Sequence, residues 1–287
     1  KYEDILLQNP KIKFIQGTAR LIGSNKVLVH IPEKDPLELN PTKILLTTGS
    51  SPTIPDIEGL NKTPYWTSTE ALFSGIVPKH LIVLGGSFVA VELAQAFSHL
   101  GSKVTLLARS TLLSREDPDI SKELKGIFEG EGIRVLTHTL PKSVEHKEDF
   151  FHINIGEETL FGDHLLVATG RHANSKNLGL GEVGVKLDSE GRILVDEYLR
   201  TSVKNIFSAG DCTQLPQYVY VAAAAGNKAA INMLSEHTGV ESPLDLSVVP
   251  AVTFTDPQVA TVGLSAKQAK EQGYEVETRT LTLDNVP

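Results

Sequence analysis

One cysteine, Cys212, stands in 287 residues, so no internal disulfide can close; the chain does not read as a stapled secreted domain and suits the reducing cytoplasm. No apolar run reaches the ~18 residues of a membrane span, so no membrane is expected as a partner. Basic residues are outnumbered, 27 Lys and Arg against 35 Asp and Glu, for a net charge of -8, and no Lys/Arg block gathers. That leaves no field to hold a phosphate backbone, and nucleic acid is not an expected partner. There is no repeat of fixed period and no leader ahead of Lys1-Tyr2-Glu3, which reads as a segment of something longer. The nine histidines show no metal-ligand spacing; His80, His138, His146 and His152 fall in different elements, and no resident metal site is expected.

What is there is a globular composition, 40% hydrophobic with 22% charged, enough for one large or two ordinary domains. Residues 2–8 read as a short helix stopped by Asn9-Pro10, followed by strand-like KIKFIQGTARLI and NKVLVHI and the apolar run Ile44-Leu45-Leu46. A Pro- and Gly-rich loop, Ser51 to Gly59, then intervenes. From His80 the pattern becomes LIVLGG, FVAVELAQAFSHLG, KVTLLAR: strand, glycine turn, helix, strand, a βαβ unit. Helix-like 119–130, then IRVLTHT, FFHINI and HLLVATG as strands, continue an α/β domain to about residue 172. Later come the strand NIFSAGD, the alanine-rich helix VYVAAAAGNKAAINML, a short helix SAKQAKEQG and the strand-like EVETRTLTL.

Gly85-Gly86-Ser87-Phe88-Val89-Ala90 sits between strand and helix, the context a dinucleotide fingerprint requires. Gly85 permits the tight turn, Ser87 replaces the middle glycine, and Ala90 lets helix and strand pack closely. The helix start offers N–H groups and a positive dipole end to a pyrophosphate. A NAD-binding unit ends its second strand in an acid; this chain has Arg109, with Ser110 beside it and Arg115 further on. A guanidinium matches a 2′-phosphate in geometry and sign, so the expected electron donor is NADPH.

Two strand ends, Thr48-Gly49 and Ala168-Thr169-Gly170-Arg171, flank this fingerprint, and Phe207-Ser208-Ala209-Gly210-Asp211-Cys212 follows. In that order the set resembles the flavin- and pyridine-nucleotide-dependent disulfide oxidoreductases. The stretches YWTSTEAL, ELAQAF, QYVYVAAAAG and FTDPQVATVG resemble the branch of that family whose substrate is mercuric ion, and the likeness covers essentially the whole chain. It implies an α/β fold with two dinucleotide-binding domains. Residues 1–78 would be part of an FAD domain, 79–172 the NADPH domain, 173–246 a second FAD-domain segment and 247–287 the start of an α+β dimerisation domain. It also implies a cytoplasmic homodimeric enzyme that passes electrons from NADPH through FAD to a cysteine pair and on to Hg(II).

The resemblance implies roles residue by residue. Asp211, after Gly210, would accept from the FAD ribityl chain; the amide of Val219 would face the flavin's pyrimidine edge at a helix start; and the backbone of Ala19 would hold the adenine. Thr48, Gly49, Thr169 and Gly170 would line cofactor-facing strand ends, Glu92 would stand near the nicotinamide, and Tyr2 at the mercury site. The C-x4-C pair that the family's chemistry needs is not in this chain, nor is the first glycine-rich turn for the FAD diphosphate, so the resemblance implies an internal segment. Cys212 reads as a buried structural thiol. Two other readings stay open: a dihydrolipoyl dehydrogenase, which typically has an acid where Arg109 stands, and a nucleotide-binding module without chemistry of its own.

Overall fold

Four apolar runs pair in parallel: His80–Leu84 lies between Lys103–Leu107 and His164–Val167, and Arg134–Leu136 extends the edge beyond Lys103–Leu107. Alternate residues go to opposite faces, as the two-residue period of a strand dictates. Leu81 and Val83 pack under the helix Phe88–His99 with Val91, Ala94 and Phe97. Ile82 and Leu84 pack on Val144, Phe151 and Ile153 of an antiparallel sheet made by Ser143–Lys147, Phe150–Asn154 and Thr159–Gly162. Covered on both faces, the central strands are apolar nearly throughout; the exception inside Lys103–Leu107 is buried Thr105, whose hydroxyl is 2.9 Å from His80 Nε2. The helix Pro118–Gly130 opens with proline in its first turn behind Asp117, whose side chain accepts from Asp119 N, and it buries Leu124 and Phe128.

The computed structural model describes residues 7–281. They fall in two units, one of residues up to Ser51 with Arg171–Asp245, the other of Pro52–Gly170 with residues from Leu246 onward. The parallel sheet belongs to the second. Its later stretch adds a hairpin of Pro250–Thr253 and Val259–Val262, with Val259 packed against the core under Phe88–His99. The first unit contains the antiparallel sheet Thr18–Gly23, Lys26–His30 and Leu37–Leu39, and a parallel pair, Ile44–Leu46 with Ile206–Ser208. Leu21, Ile44, Leu46, Ile193 and Ile206 form its main core. The helix Val219–Met233 turns Val221, Ala225 and Ala229 inward.

The structure departs from the sequence reading in three places. The strand expected from Lys11 begins only at Thr18, where Lys26–His30 becomes available as a partner. IRVLTHT is a strand only over Arg134–Leu136. The described part of EVETRTLTL, residues 275–281, pairs with nothing among the described residues and has no strand, and its last two residues lie outside them; β-propensity without a ladder partner does not make a strand. Among the described residues no helix is long and apolar enough to cross a membrane.

Candidate functional site

In the second unit, chemistry-bearing residues collect at the carboxyl ends of the parallel strands, the edge where open α/β sheets take ligands. Gly85 follows Leu84, donates its N–H to Leu107 O at 2.8 Å and has φ +136°. A Cβ there would stand 2.2 Å from Ala168 O, so only glycine lets the turn lie against the neighbouring strand end. Gly86 O accepts from Leu113 N at 2.7 Å, and a Cβ on Gly86 would come within 2.9 Å of Ala108 Cβ. Ala90 is fully buried behind the turn. Ser87 occupies the helix cap position, but its hydroxyl points to Ala168 O at 3.4 Å and caps nothing. The amides of the first helical turn are therefore left without a side-chain partner, as an anion site requires.

Arg109 and Arg115 are exposed, and neither guanidinium makes an ion pair or hydrogen bond among the described residues. Ser110 O accepts from His138 N at 3.3 Å, which ties the Arg109–Ser110 turn to the next strand's end. Thr169 Oγ1 donates to Thr53 O at 2.8 Å, and Gly170 O accepts from Thr53 N at 2.9 Å. Glu92 lies one turn into the helix, where its Oε1 accepts from Phe254 N at 2.8 Å.

In the first unit, the parallel pair ends in a cavity of about 250 Å³ lined by Thr47, Gly49, Ala209, Gly210, Asp211 and Ala222. Asp211 Oδ2 accepts from Ser50 Oγ at 3.0 Å, and Arg171 donates to Ser50 through Nε to Oγ at 2.7 Å and Nη2 to O at 2.6 Å. Asn174 fastens the same loop: its Nδ2 donates to Thr48 O at 2.9 Å, its N to Gly49 O at 2.9 Å, and its O accepts from Thr48 Oγ1 at 2.7 Å. Ser50 and Asn174 escaped the sequence reading, and Arg171 entered it only as the last residue of the strand end Thr169-Gly170-Arg171, without a role of its own. The one available signal was the run of polar residues directly after Thr169-Gly170. Val219 stands exposed at the first position of its helix, which has no side-chain capping bond at Tyr218. Ala19 is exposed on Thr18–Gly23, paired with Val29.

The structure thus gathers Gly85, Gly86, Ser87, Ala90, Arg109 and Ser110 at one edge, and Gly49, Gly210 and Asp211 around one cavity, where Thr47 rather than the expected Thr48 lines the wall and Thr48 instead bonds Asn174. Cys212 is fully buried, its Sγ 3.4 Å from Ser208 Oγ and 3.5 Å from Ala209 O. Tyr2 lies outside the described residues. Among those described, no group of three or more His, Cys, Asp or Glu could hold a metal ion. The glycine cradle at Gly85 and the uncapped helix start fit a dinucleotide diphosphate. The small-residue cavity closed by a carboxylate fits a hydroxylated chain such as that of FAD.

Residues 2–226 match the model of the pyridine nucleotide-disulphide oxidoreductase family, and residues 249–287 that of its dimerisation domain. Mercuric reductase of Shewanella putrefaciens is 50% identical over 287 residues, which are all of this chain and 51% of that protein. Mercuric reductase of Acidithiobacillus ferrooxidans is also 50% identical, over all of this chain and 52% of its own length. This chain therefore spans about half the length of the curated relatives it matches. Among solved structures, the HOCl-induced flavoprotein disulfide reductase RclA of Escherichia coli superposes with a TM-score of 0.85 at 31% identity, covering 98% of this chain and 64% of RclA.

Proposed function

This chain belongs to the pyridine nucleotide-disulphide oxidoreductase family, whose members use FAD and NAD(P)H, and on that premise we propose that it supplies the NADPH domain and part of the flavin site of a mercury(II) reductase. The observation that carries the reading is the pair of strand ends: Gly85 with the exposed Arg109 at one, Gly210 with Asp211 at the other. Mercury as the substrate is supported by the names of relatives half identical over the whole chain.

In this reading the amides of the first helical turn after Ser87 bind the NADPH diphosphate, and Arg109, with Ser110 and Arg115, binds the 2′-phosphate. Two charge-assisted bonds from one guanidinium supply the preference over NADH. Asp211 orients the flavin side chain, held in place by Ser50 and Arg171, and the exposed first turn at Val219 places a helix's positive end beside the ring system. FAD, when bound, supplies two-electron transfer between the nicotinamide and a thiol pair. Overall, NADPH and Hg(II) give NADP⁺, a proton and elemental mercury, with the cysteine pair contributed from outside these residues. Homodimerisation through the segment from Ser247 onward and a cytoplasmic location complete the proposal.

The test is mercury-dependent NADPH oxidation by the complete gene product, with NADH in parallel. Turnover that requires Hg(II) and prefers NADPH is expected. Equal use of NADH would remove the Arg109 assignment, and turnover with lipoamide but not Hg(II) would replace the substrate.

A further inference from the structure

The turn of the hairpin Pro250–Thr253 and Val259–Val262 is fastened to the helix Phe88–His99 by side chains rather than by apolar contact alone. Glu92 Oε1 accepts from Phe254 N at 2.8 Å. Three residues along the same helical face, Gln95 takes both backbone polar groups of Asp256: its Oε1 accepts from Asp256 N at 2.8 Å and its Nε2 donates to Asp256 O at 2.8 Å. Gln95 is only 3% exposed, and its Nε2 also lies 3.0 Å from each carboxylate oxygen of Glu131. His99 Nε2 is 3.2 Å from Glu131 Oε2, which completes the cluster. Thr255, between the clamped residues, is 3% exposed and donates to Pro257 O at 2.8 Å.

A buried amide is costly unless its donors and acceptor are all bonded, and here they are. Sliding the turn by one residue would leave those buried groups unpaired. The clamp therefore specifies one position of the turn on the helix, which apolar packing would define less sharply. Both clamping side chains stand within two turns of the helix start whose free amides face the Gly85 turn. The hairpin they hold is the first part of the segment matched to the dimerisation domain.

We propose that Gln95, together with Glu92, is a positioning residue that couples nucleotide occupancy at the start of Phe88–His99 to the dimerisation hairpin. The inference rests on the reading that the nucleotide binds between Gly85 and Arg109. A diphosphate that orders the first helical turn restrains the side chains one and two turns on, and these restrain residues 254–256. By linkage, an ordered hairpin raises nucleotide affinity by the same factor. Glu92 keeps Oε2 free of protein partners among the described residues, so its bond to Phe254 leaves one oxygen for a ligand.

Hydrogen exchange on the complete flavin-loaded gene product, with and without NADPH, tests this at two peptides, 85–92 and 254–256. In the wild type NADPH should slow both. In Gln95→Leu, residues 254–256 should exchange roughly tenfold faster, the worth of one or two net hydrogen bonds. They should also stop responding to NADPH while 85–92 is still protected. Protection of 85–92 alone in the wild type, or an undiminished response of 254–256 in Gln95→Leu, overturns the coupling and leaves the nucleotide site standing. Protection of neither peptide overturns both. If Gln95→Leu does not fold, the wild-type comparison decides.

Discussion

Ser50 donates its hydroxyl proton to Asp211 at 3.0 Å, and that proton is aimed because Arg171 Nε occupies the other side of the same oxygen at 2.7 Å. The carboxylate proposed to hold the flavin chain is therefore held in turn by a hydroxyl that a guanidinium has oriented. Asp211→Ala should weaken flavin binding by roughly 10- to 100-fold, the range for a lost charge-assisted bond, and Ser50→Ala by only a few-fold. Reconstitution of apoprotein followed by flavin fluorescence measures both. A Ser50→Ala effect equal to that of Asp211→Ala would mean the carboxylate acts structurally.

Arg109 is exposed with no protein partner among the described residues, so replacing it removes no internal contact. Arg109→Glu should raise the NADPH Kd by about 30-fold or more, leave the NADH Kd nearly unchanged, and leave the thermal midpoint in place. Equal losses for both nucleotides would place the 2′-phosphate elsewhere.

Two glycines separate steric clash from backbone strain. Both Gly85 and Gly101 have positive φ, +136° and +99°, but a Cβ at Gly101 meets nothing within 4 Å, whereas one at Gly85 meets Ala168 O at 2.2 Å. Gly101→Ala should cost about 1 kcal/mol. Gly85→Ala adds the displacement of a strand end and should cost at least ~3 kcal/mol, or roughly 6–12 °C in the melting transition of the unit that contains it. Equal midpoints for the two variants would show that the turn yields freely.

The parallel sheet was legible because its strands are buried on both faces: LIVL, KVTLL and HLLV carry no alternation to misread, and the spacing of Val89, Leu93, Phe97 and Leu100 marks the helix between them, although the face it buries is Val91, Ala94 and Phe97 and Leu100 is exposed. The antiparallel sheet beside it was only partly legible. Ser143–Lys147 reads SVEHK, whose outward residues are charged and whose inward residues are few, so its membership depends on pairing with Phe150–Asn154. The glycine turn and Arg109 could be found from spacing because the ligand chemistry demands a local pattern. Arg171, Asn174 and Gln95 could not. They act on partners 121, 126 and 161 residues away, mostly backbone groups, and a partner so distant leaves no local pattern beside them in the sequence.

The opposite edge of the parallel sheet carries a titration that should appear in stability alone. His80 opens its strand with Nε2 2.9 Å from Thr105 Oγ1; burial, and then the Lys103 ammonium, hold its imidazole below the ordinary 6.5, against the opposing pull of Asp163. The folded protein therefore takes up this proton less readily than the unfolded chain. Above about pH 6.5 both states are neutral and the native state has its full margin; as pH falls from there towards the folded value, the unfolded state alone is protonated and stability declines. Asp163 responds lower down. Burial raises its pKa, but the N–H groups of His80 at 2.6 Å and Lys79 at 3.0 Å, with the His164 ring, bring it below the ordinary 3.8, so its contribution is lost only as pH drops through that lower range. Urea midpoints between pH 7.5 and 5 should thus fall in the wild type and flatten in His80→Gln, with NADPH affinity unchanged at pH 7.5 because this edge faces away from the Gly85 turn. An identical slope in both proteins would assign the decline to other groups.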